Sequence, residues 1–213
     1  MSERRPLVVK IGGGLFRDEG LDGLRRACAE VSEIATLRPV LVVPGGGPFA
    51  DAVRAVDAQV GLTDGAAHAL ALRAMDQLGV LLAPLLPGFE RLADLAAPRS
   101  IGLLEAAPAF GGRPEIPESW AVTSDSLAVL AAGVIGAGEA VLLKAAPGVL
   151  PRWPSDEPPL PKLTAAELRQ LQDAGGGRAV DRYLPEAVCR TGIAVTVRRP
   201  GSGTASGTRI TRA

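Results

Sequence analysis

Two segments of this chain each join an apolar run to three consecutive glycines, and no other feature constrains the fold as much. The first segment, residues 8–14, carries Lys10 just before its glycines, and the second, residues 40–47, leads into a helical pattern. The first glycine loop is Gly12, Gly13 and Gly14, and the second glycine loop is Gly45, Gly46 and Gly47. A short apolar run ended by glycine is typical of a buried β-strand, and glycine lets backbone N–H groups turn toward a closely approaching anion. One such loop is often only a tight turn. Two of them on neighbouring strands predict phosphate binding and the transfer of a phosphoryl group from a donor to an acceptor.

The lysines of the chain are few, although arginine is abundant. They are Lys10, Lys144 and Lys162. Two of them, Lys10 and Lys144, stand at the ends of apolar strand patterns, beside glycine or loop residues. Because lysine is a compact charge on a flexible stem, these two positions suit contact with phosphate oxygens. Neither glycine loop fits the P-loop or the Rossmann dinucleotide pattern, so the predicted site is of another type.

The bulk composition excludes several classes of protein. The 213 residues suffice for one α/β domain or two joined lobes, and 47% hydrophobic residues provide a sizeable core. A formal net charge of zero gives no sign of nucleic acid or of an acidic membrane surface as a partner. Cys28 and Cys189 form no C-x-x-C pair and are expected to be free thiols. The first six residues lack the apolar region of a signal peptide, and we expect a soluble, cytoplasmic protein.

The hydrophobic pattern alternates between strands and helices. Strands are predicted at 7–11, 40–43, 140–144 and 193–198, with shorter candidates at 101–104, 120–122 and 208–211, the last at a sheet edge. Helices are predicted at 21–37, 48–60, 64–82, 124–137, 164–172 and 181–190, and loops at 106–118 and 153–161. This order favours an α/β fold with a mostly parallel sheet covered on both faces.

Residues 120–127 combine a short apolar run with hydroxyl and carboxyl groups at the start of a helix. Thr123, Ser124, Asp125 and Ser126 are all common at ordinary helix N-termini. The functional interpretation has equal weight: Asp125 would hold lysine ammonium groups in place, while the hydroxyls lie near phosphate. The residues alone do not decide between the two.

Four segments, taken in order and spacing, resemble the signature segments of the amino acid kinase superfamily. They are residues 8–16, 41–54, 122–128 and 140–150, and the superfamily includes uridylate, acetylglutamate, aspartate and isopentenyl phosphate kinases. The resemblance implies a three-layer αβα sandwich around a mostly parallel central sheet, in one domain of residues 1–213, and a homo-oligomer. It implies an acceptor-binding lobe at 1–118 and a nucleotide-binding lobe at 119–213, with ATP and Mg²⁺ as cofactors and no protein-built metal site. Lys10 would contact the transferring phosphoryl between the glycine loops, with Thr123 and Ser124 near phosphate, and Asp125 would organise the lysines.

A narrower resemblance covers residues 64–77, 120–126 and 179–185. These look like small archaeal-type kinases that phosphorylate aminomethylfuran phosphate to a diphosphate during methanofuran or methylofuran synthesis. The resemblance implies that His68 and Asp64 contact the acceptor. From the residues themselves, a single helix histidine such as His68 is more often a packed or surface residue, and a helix cap is the safer interpretation of Asp64.

The chain also departs from the superfamily pattern. Residues 144–150 lack the acidic turn that usually follows this strand, and residues 175–181 lack the lysine of a Gly-Gly-Met-x-x-Lys segment. Lys144 resembles the lysine that uridylate kinases carry at the matching strand end, and we expect it to supply the second cation, with Arg178 as a poorer substitute. Two alternatives stay open: a non-catalytic or regulatory nucleotide-binding protein, and a kinase for UMP, isopentenyl phosphate or a carboxylate.

Overall fold

The computed structural model describes residues 5–95, 102–152, 157–203 and 206–213. In chain order its elements are β1 (Leu7–Ile11), α1 (Gly13–Ala35), β2 (Val40–Pro44), α2 (Gly47–Val60), α3 (Asp64–Leu82), a 3₁₀ turn (Ala83–Leu85), β3 (Glu90–Leu92), β4 (Gly102–Leu104), α4 (Ala106–Phe110), α5 (Ser124–Val134), β5 (Glu139–Leu143), β6 (Lys162–Thr164), α6 (Ala165–Asp173), α7 (Leu184–Thr191), β7 (Ala194–Arg198) and β8 (Thr208–Thr211). No helix among these described residues is both long and apolar enough to cross a membrane.

All the described strands belong to one sheet in the order β3-β4-β2-β1-β5-β7-β8-β6. Every pairing is parallel except that of β7 with β8. The central strands β1, β2 and β5 lie next to one another, so their carboxyl ends meet at the same edge of the sheet.

Side chains of β1 alternate between two separate hydrophobic cores, one on each face of the sheet. Val8 belongs to the core shared with helices α5, α6 and α7, whereas Val9 belongs to the core shared with α1 and the end of α3. Helices therefore cover both faces, and the predicted three-layer αβα sandwich is confirmed.

Several element predictions are wrong. The first glycine loop opens into a helical part from Gly13 that the pattern does not predict. Gly20 (φ 60°, ψ -148°) is not helical and separates this part from the predicted helix, which begins at residue 21 as the second part of α1. Residues 120–122 form a turn rather than a strand, and the predicted loop at 106–118 contains the short helix α4. Strand β8 is not at an edge, because β6, which the pattern does not predict, pairs with it on its outer side.

Other boundaries shift by smaller amounts. Helix α5 ends at Val134 rather than at 137, and the last helix begins at Leu184 rather than at 181. The three-residue strand β3 has no counterpart among the predictions. The predictions for residues 1–4, for residue 101 and for 153–156 lie outside the described residues.

Candidate active site

A cavity of about 510 Å³ lies where the carboxyl ends of the central strands meet the starts of α1, α2 and α5. Parallel α/β sheets bind their ligands at this edge. The cavity brings together most of the predicted site residues: Lys10, Gly12, Gly13, Gly14, Gly46, Gly47, His68, Thr123, Ser124, Asp125 and Lys144. It does not include Gly45 or Asp64 in its lining.

The two glycine loops pack backbone against backbone. A Cβ atom on Gly13 would fall on the backbone nitrogen of Gly47, and one on Gly45 would come within 2.6 Å of the Gly13 nitrogen. Gly47 also has a positive φ of 54°, which favours glycine. Gly45 thus allows the two glycine loops to pack closely, and its N–H is already used in a hydrogen bond to the Ile11 carbonyl at 2.9 Å.

This packing places the N-termini of two helices side by side at the cavity. The N-cap of α1 is Gly12 and that of α2 is Gly46, and neither has a side chain that accepts a hydrogen bond from the helix. The uncapped N–H groups and the positive ends of both helix dipoles point to anion binding at this position.

A buried carboxylate joins two lysines in the floor of the cavity. Asp125 lies in the first turn of α5, with its Oδ1 2.8 Å from Lys10 Nζ and its Oδ2 2.5 Å from Lys144 Nζ. Lys144 Nζ also donates to the carbonyl of Ala179 at 2.5 Å. The Asp125 and Lys10 side chains are 4% and 5% exposed, and that of Lys144 is 16% exposed. Strands β1 and β5 therefore each deliver one cation to the same carboxylate.

Burial and charge act in opposite directions on these groups. Burial by itself would raise the pKa of Asp125, but the ammonium groups of Lys10 and Lys144 hold that pKa well below its usual range. Burial lowers the pKa of Lys10, and the Asp125 charge opposes this shift. Asp125 is thus ionised at neutral pH and keeps both lysines close together.

A second carboxylate, that of the partly buried Asp181, belongs to a residue that the sequence analysis does not identify as a site residue. Its Oδ2 accepts hydrogen bonds from the Thr123 N–H (2.9 Å), the Thr123 hydroxyl (2.9 Å) and the Ser126 N–H (3.0 Å). Its Oδ1 accepts the Ser126 hydroxyl. Burial, and next the charge of Asp125, raise the pKa of Asp181. Thr123 and Ser124, both expected near phosphate, line the cavity. The N–H and the hydroxyl of Thr123 are, however, already engaged by Asp181.

The other end of the cavity has an apolar wall and one histidine. Its wall consists of Ala71, Leu72, Met75, Val122 and Leu127. His68 is 7% exposed on α3; burial lowers its pKa, and Glu118 opposes that shift. The helix-cap alternative for Asp64 is wrong, because the Thr63 side chain is the N-cap and accepts from the Ala66 N–H at 3.3 Å.

Arg178 lines the cavity and donates to the Gly175 carbonyl at 3.2 Å, whereas Lys162 starts β6 and does not line it. Within the described ranges no three His, Cys, Asp or Glu side chains form a group able to hold a metal ion. Mg²⁺ commonly takes most of its ligands from substrate phosphates and water, so this donor set suits an ion that arrives with a nucleotide.

Three comparisons with known proteins agree with this geometry. A family model described as the amino acid kinase family matches residues 5–197. The chain is 27% identical over 185 residues to the [5-(aminomethyl)furan-3-yl]methyl phosphate kinase of Methanocaldococcus jannaschii. The aligned region covers 84% of this chain and 80% of that kinase. The fold of this chain is similar to the crystal structure of uridylate kinase from Archaeoglobus fulgidus, with a TM-score of 0.73. The two are 19% identical, and the match covers 97% of this chain and 99% of the uridylate kinase. This chain is also similar in fold to aspartate kinase from Synechocystis, with a TM-score of 0.72 and 16% identity over 98% of this chain and 40% of that one.

Proposed function

This chain belongs to the amino acid kinase family and is a phosphotransferase, and from that premise we propose that it transfers the γ-phosphoryl group of ATP to a phosphate monoester, making a diphosphate. The observation that carries the proposal is the Lys10–Asp125–Lys144 cluster beside two helix N-termini. Phosphoryl transfer needs positioned positive charge around the equatorial oxygens and little covalent participation from the protein.

The roles of the groups follow from their positions. N–H groups at the starts of α1 and α2 would hold phosphate oxygens on either side of the transferring group, in line with the attacking oxygen. Lys10 would contact the transferring phosphoryl, and Lys144 would supply a second cation toward the nucleotide. Mg²⁺, held by the nucleotide phosphates, would neutralise part of their charge. An acceptor phosphate is already ionised at neutral pH, so no general base is required.

The acceptor we propose is an aminomethylfuran methyl phosphate, as in methanofuran or methylofuran synthesis. Support comes from the furan phosphate kinase of M. jannaschii, which aligns with 84% of this chain. The apolar wall of the cavity suits a small ring, and His68 lies at its edge as a candidate contact. The lobes at 1–118 and 119–213 would bind acceptor and nucleotide respectively, in a cytoplasmic homo-oligomer.

A second candidate function is a nucleotide-binding regulator that has lost efficient transfer. The specific observation in its favour is that residues 144–150 carry no acidic side chain and that residues 175–181 contain no lysine. The intact Lys10–Asp125–Lys144 cluster favours the kinase instead. A buried and a partly buried ammonium group on one carboxylate stabilise a fold no better than well-packed apolar side chains would.

An ADP-release assay with ATP·Mg²⁺ separates these candidates. The acceptor panel contains aminomethylfuran methyl phosphate, isopentenyl phosphate, UMP and acetylglutamate, each with and without enzyme. Turnover confined to the furan phosphate is the expected result. Calorimetric binding of a non-hydrolysable ATP analogue without turnover on any acceptor would favour the regulator.

A further inference from the structure

We propose that Arg17 and Arg54 form the binding subsite for the phosphate group that the acceptor already carries, with Asp51 holding both guanidinium groups in position. The inference rests on the proposed function and deepens it, because it assigns recognition of a phosphate dianion to two residues outside the lysine cluster. We call Arg17, Asp51 and Arg54 the arginine bracket. All three line the cavity.

The arginine bracket is one continuous ion-pair network between α1 and α2. Arg17 approaches Asp51 Oδ2 with Nε at 2.9 Å and Nη2 at 2.6 Å. Arg54 donates from Nη1 to Asp51 Oδ1 at 3.0 Å. One carboxylate thus aligns two guanidinium groups from different helices, and each guanidinium keeps further N–H donors for a ligand.

Arg54 is fixed on its other side as well. Its guanidinium carbon lies 4.7 Å from the centre of the Trp120 ring, and the indole N–H of Trp120 donates to Asp57 Oδ2 at 2.7 Å. An arginine held by stacking and by an ion pair loses less side-chain freedom when it binds an anion. The bracket is therefore organised for binding before any ligand arrives.

Position along the helices supports the assignment. Arg17 and Asp51 each lie four residues after the helix starts at Gly13 and Gly47, which is about 6 Å of helix rise, and Arg54 lies one turn further on. An acceptor oxygen poised for attack stands about 3–3.5 Å from the phosphorus it attacks, so the acceptor phosphate must lie close to the glycine loops. The long side chains of Arg17 and Arg54 can reach back to it.

The charges of the described cavity lining leave this task to the arginines. Lys10 and Lys144 share the buried carboxylate Asp125. Arg178 donates to the Gly175 carbonyl. The carboxylates of Asp51 and Asp18 line the cavity together with Arg17 and Arg54. Guanidinium groups bind phosphate in a forked, two-bond geometry, which favours a phosphate dianion over a neutral hydroxyl.

The test measures affinity without ATP, so that it does not depend on turnover. Calorimetry compares aminomethylfuran methyl phosphate with its dephosphorylated alcohol, and UMP with uridine, on the wild type and on Arg17→Gln and Arg54→Gln. Each substitution is expected to weaken binding of the phosphate compound about 10- to 100-fold and to leave the alcohol unchanged. The matched control is Arg25→Gln, because Arg25 lies on α1 as Arg17 does, pairs with Asp22 at 2.9 Å and is not part of the cavity lining.

Other outcomes overturn the subsite. They are a wild type with no preference for either phosphate over its alcohol, equal losses for phosphate and alcohol, and losses confined to a non-hydrolysable ATP analogue. Failure of the proposed function is distinguishable from these results. A wild type that binds the phosphate compound through both arginines but transfers no phosphoryl group to it would refute the kinase proposal and leave the arginine bracket standing.

Discussion

Replacement of Lys10 by methionine separates the charge of this side chain from its packing. Lys10 Nζ lies 2.8 Å from Asp125 Oδ1, and only 5% of the lysine side chain is exposed. Methionine fills a similar apolar path without the ammonium group. Loss of one positioned donor at a developing anion typically removes about 2.7–4 kcal/mol of transition-state stabilisation, so kcat should fall roughly 100- to 1,000-fold.

The effect of Lys10→Met on stability should be much smaller. Asp125 keeps its ion pair with Lys144 at 2.5 Å, so no buried charge is left alone. Loss of the Lys10 partner of Asp125 Oδ1 should lower the free energy of unfolding by about 1–3 kcal/mol, and removal of a desolvated ammonium group offsets part of this loss. For a chain of this size the midpoint of thermal unfolding should fall by no more than about 12 °C.

The assay is ADP release at saturating ATP and acceptor, with unfolding followed by circular dichroism. Lys162→Met is the control, because Lys162 is an exposed lysine of β6 outside the cavity and its replacement should leave kcat unchanged. A folded Lys10→Met variant whose kcat lies within threefold of the wild type would refute the reasoning.

Four further predictions follow from the same site. Asp125→Asn leaves two buried ammonium groups without their carboxylate and should lower the free energy of unfolding by about 3–5 kcal/mol, a midpoint fall of roughly 6–20 °C in calorimetry. Asp181→Asn can keep its hydrogen bonds at the start of α5, whereas Asp181→Ala leaves the backbone donors unpaired at a cost of about 1–3 kcal/mol each. In the alanine variant the urea concentration at the unfolding midpoint should therefore be well below that of the asparagine variant, and equal midpoints would contradict this. Turnover should fall as the pH rises through the lowered pKa of Lys10, because the ammonium group loses its proton. Between that pKa and the higher pKa of the unfolded chain, the contribution of Lys10 to the free energy of unfolding should instead increase with pH. Parallel pH profiles of kcat and of unfolding test these opposite signs. Gly13→Ala forces a methyl group onto the backbone of the second glycine loop and should cost about 1–3 kcal/mol and raise the KM for ATP; an unchanged KM would argue against phosphate binding there.

Much of the fold can be predicted from the sequence because the decisive patterns are local. The continuous apolar runs of β1, β2 and β5 are buried throughout or nearly so, as central parallel strands require. The edge strands β3 and β6 cannot be predicted in this way, because each has only three residues and an exposed or mixed pattern. The part of α1 before Gly20 is missed because glycine is a poor helix former, and here the packing of Gly13 against the second glycine loop overrides that preference.

The candidate site can be predicted only where the chemistry lies in one segment. Lys10, Lys144 and the glycine loops follow from their own segments, as does Asp125 as one of two open alternatives. The resemblance to the amino acid kinase superfamily, confirmed by the family match, favours the functional alternative for Asp125. The roles of these residues stay predictions. Asp181 cannot be found locally, because its partners Thr123 and Ser126 lie 58 and 55 positions away.

The arginine bracket is hidden from the sequence for a similar reason. Arg17 and Asp51 are 34 positions apart and meet only because α1 and α2 start from loops that touch. An arginine-rich chain offers many equivalent candidates, and only the cavity distinguishes Arg17 and Arg54 from other exposed arginines such as Arg25.

Phosphorus NMR of a complete reaction tests the central claim most directly. Enzyme, ATP·Mg²⁺ and aminomethylfuran methyl phosphate are incubated together, and the spectrum is recorded as ATP is consumed. The account predicts two new coupled resonances of an organic diphosphate, equal in amount to the ADP formed and appearing about 100- to 1,000-fold more slowly with Lys10→Met. ATP that stays intact beside every phosphate monoester of the panel, or that yields only orthophosphate, would contradict it.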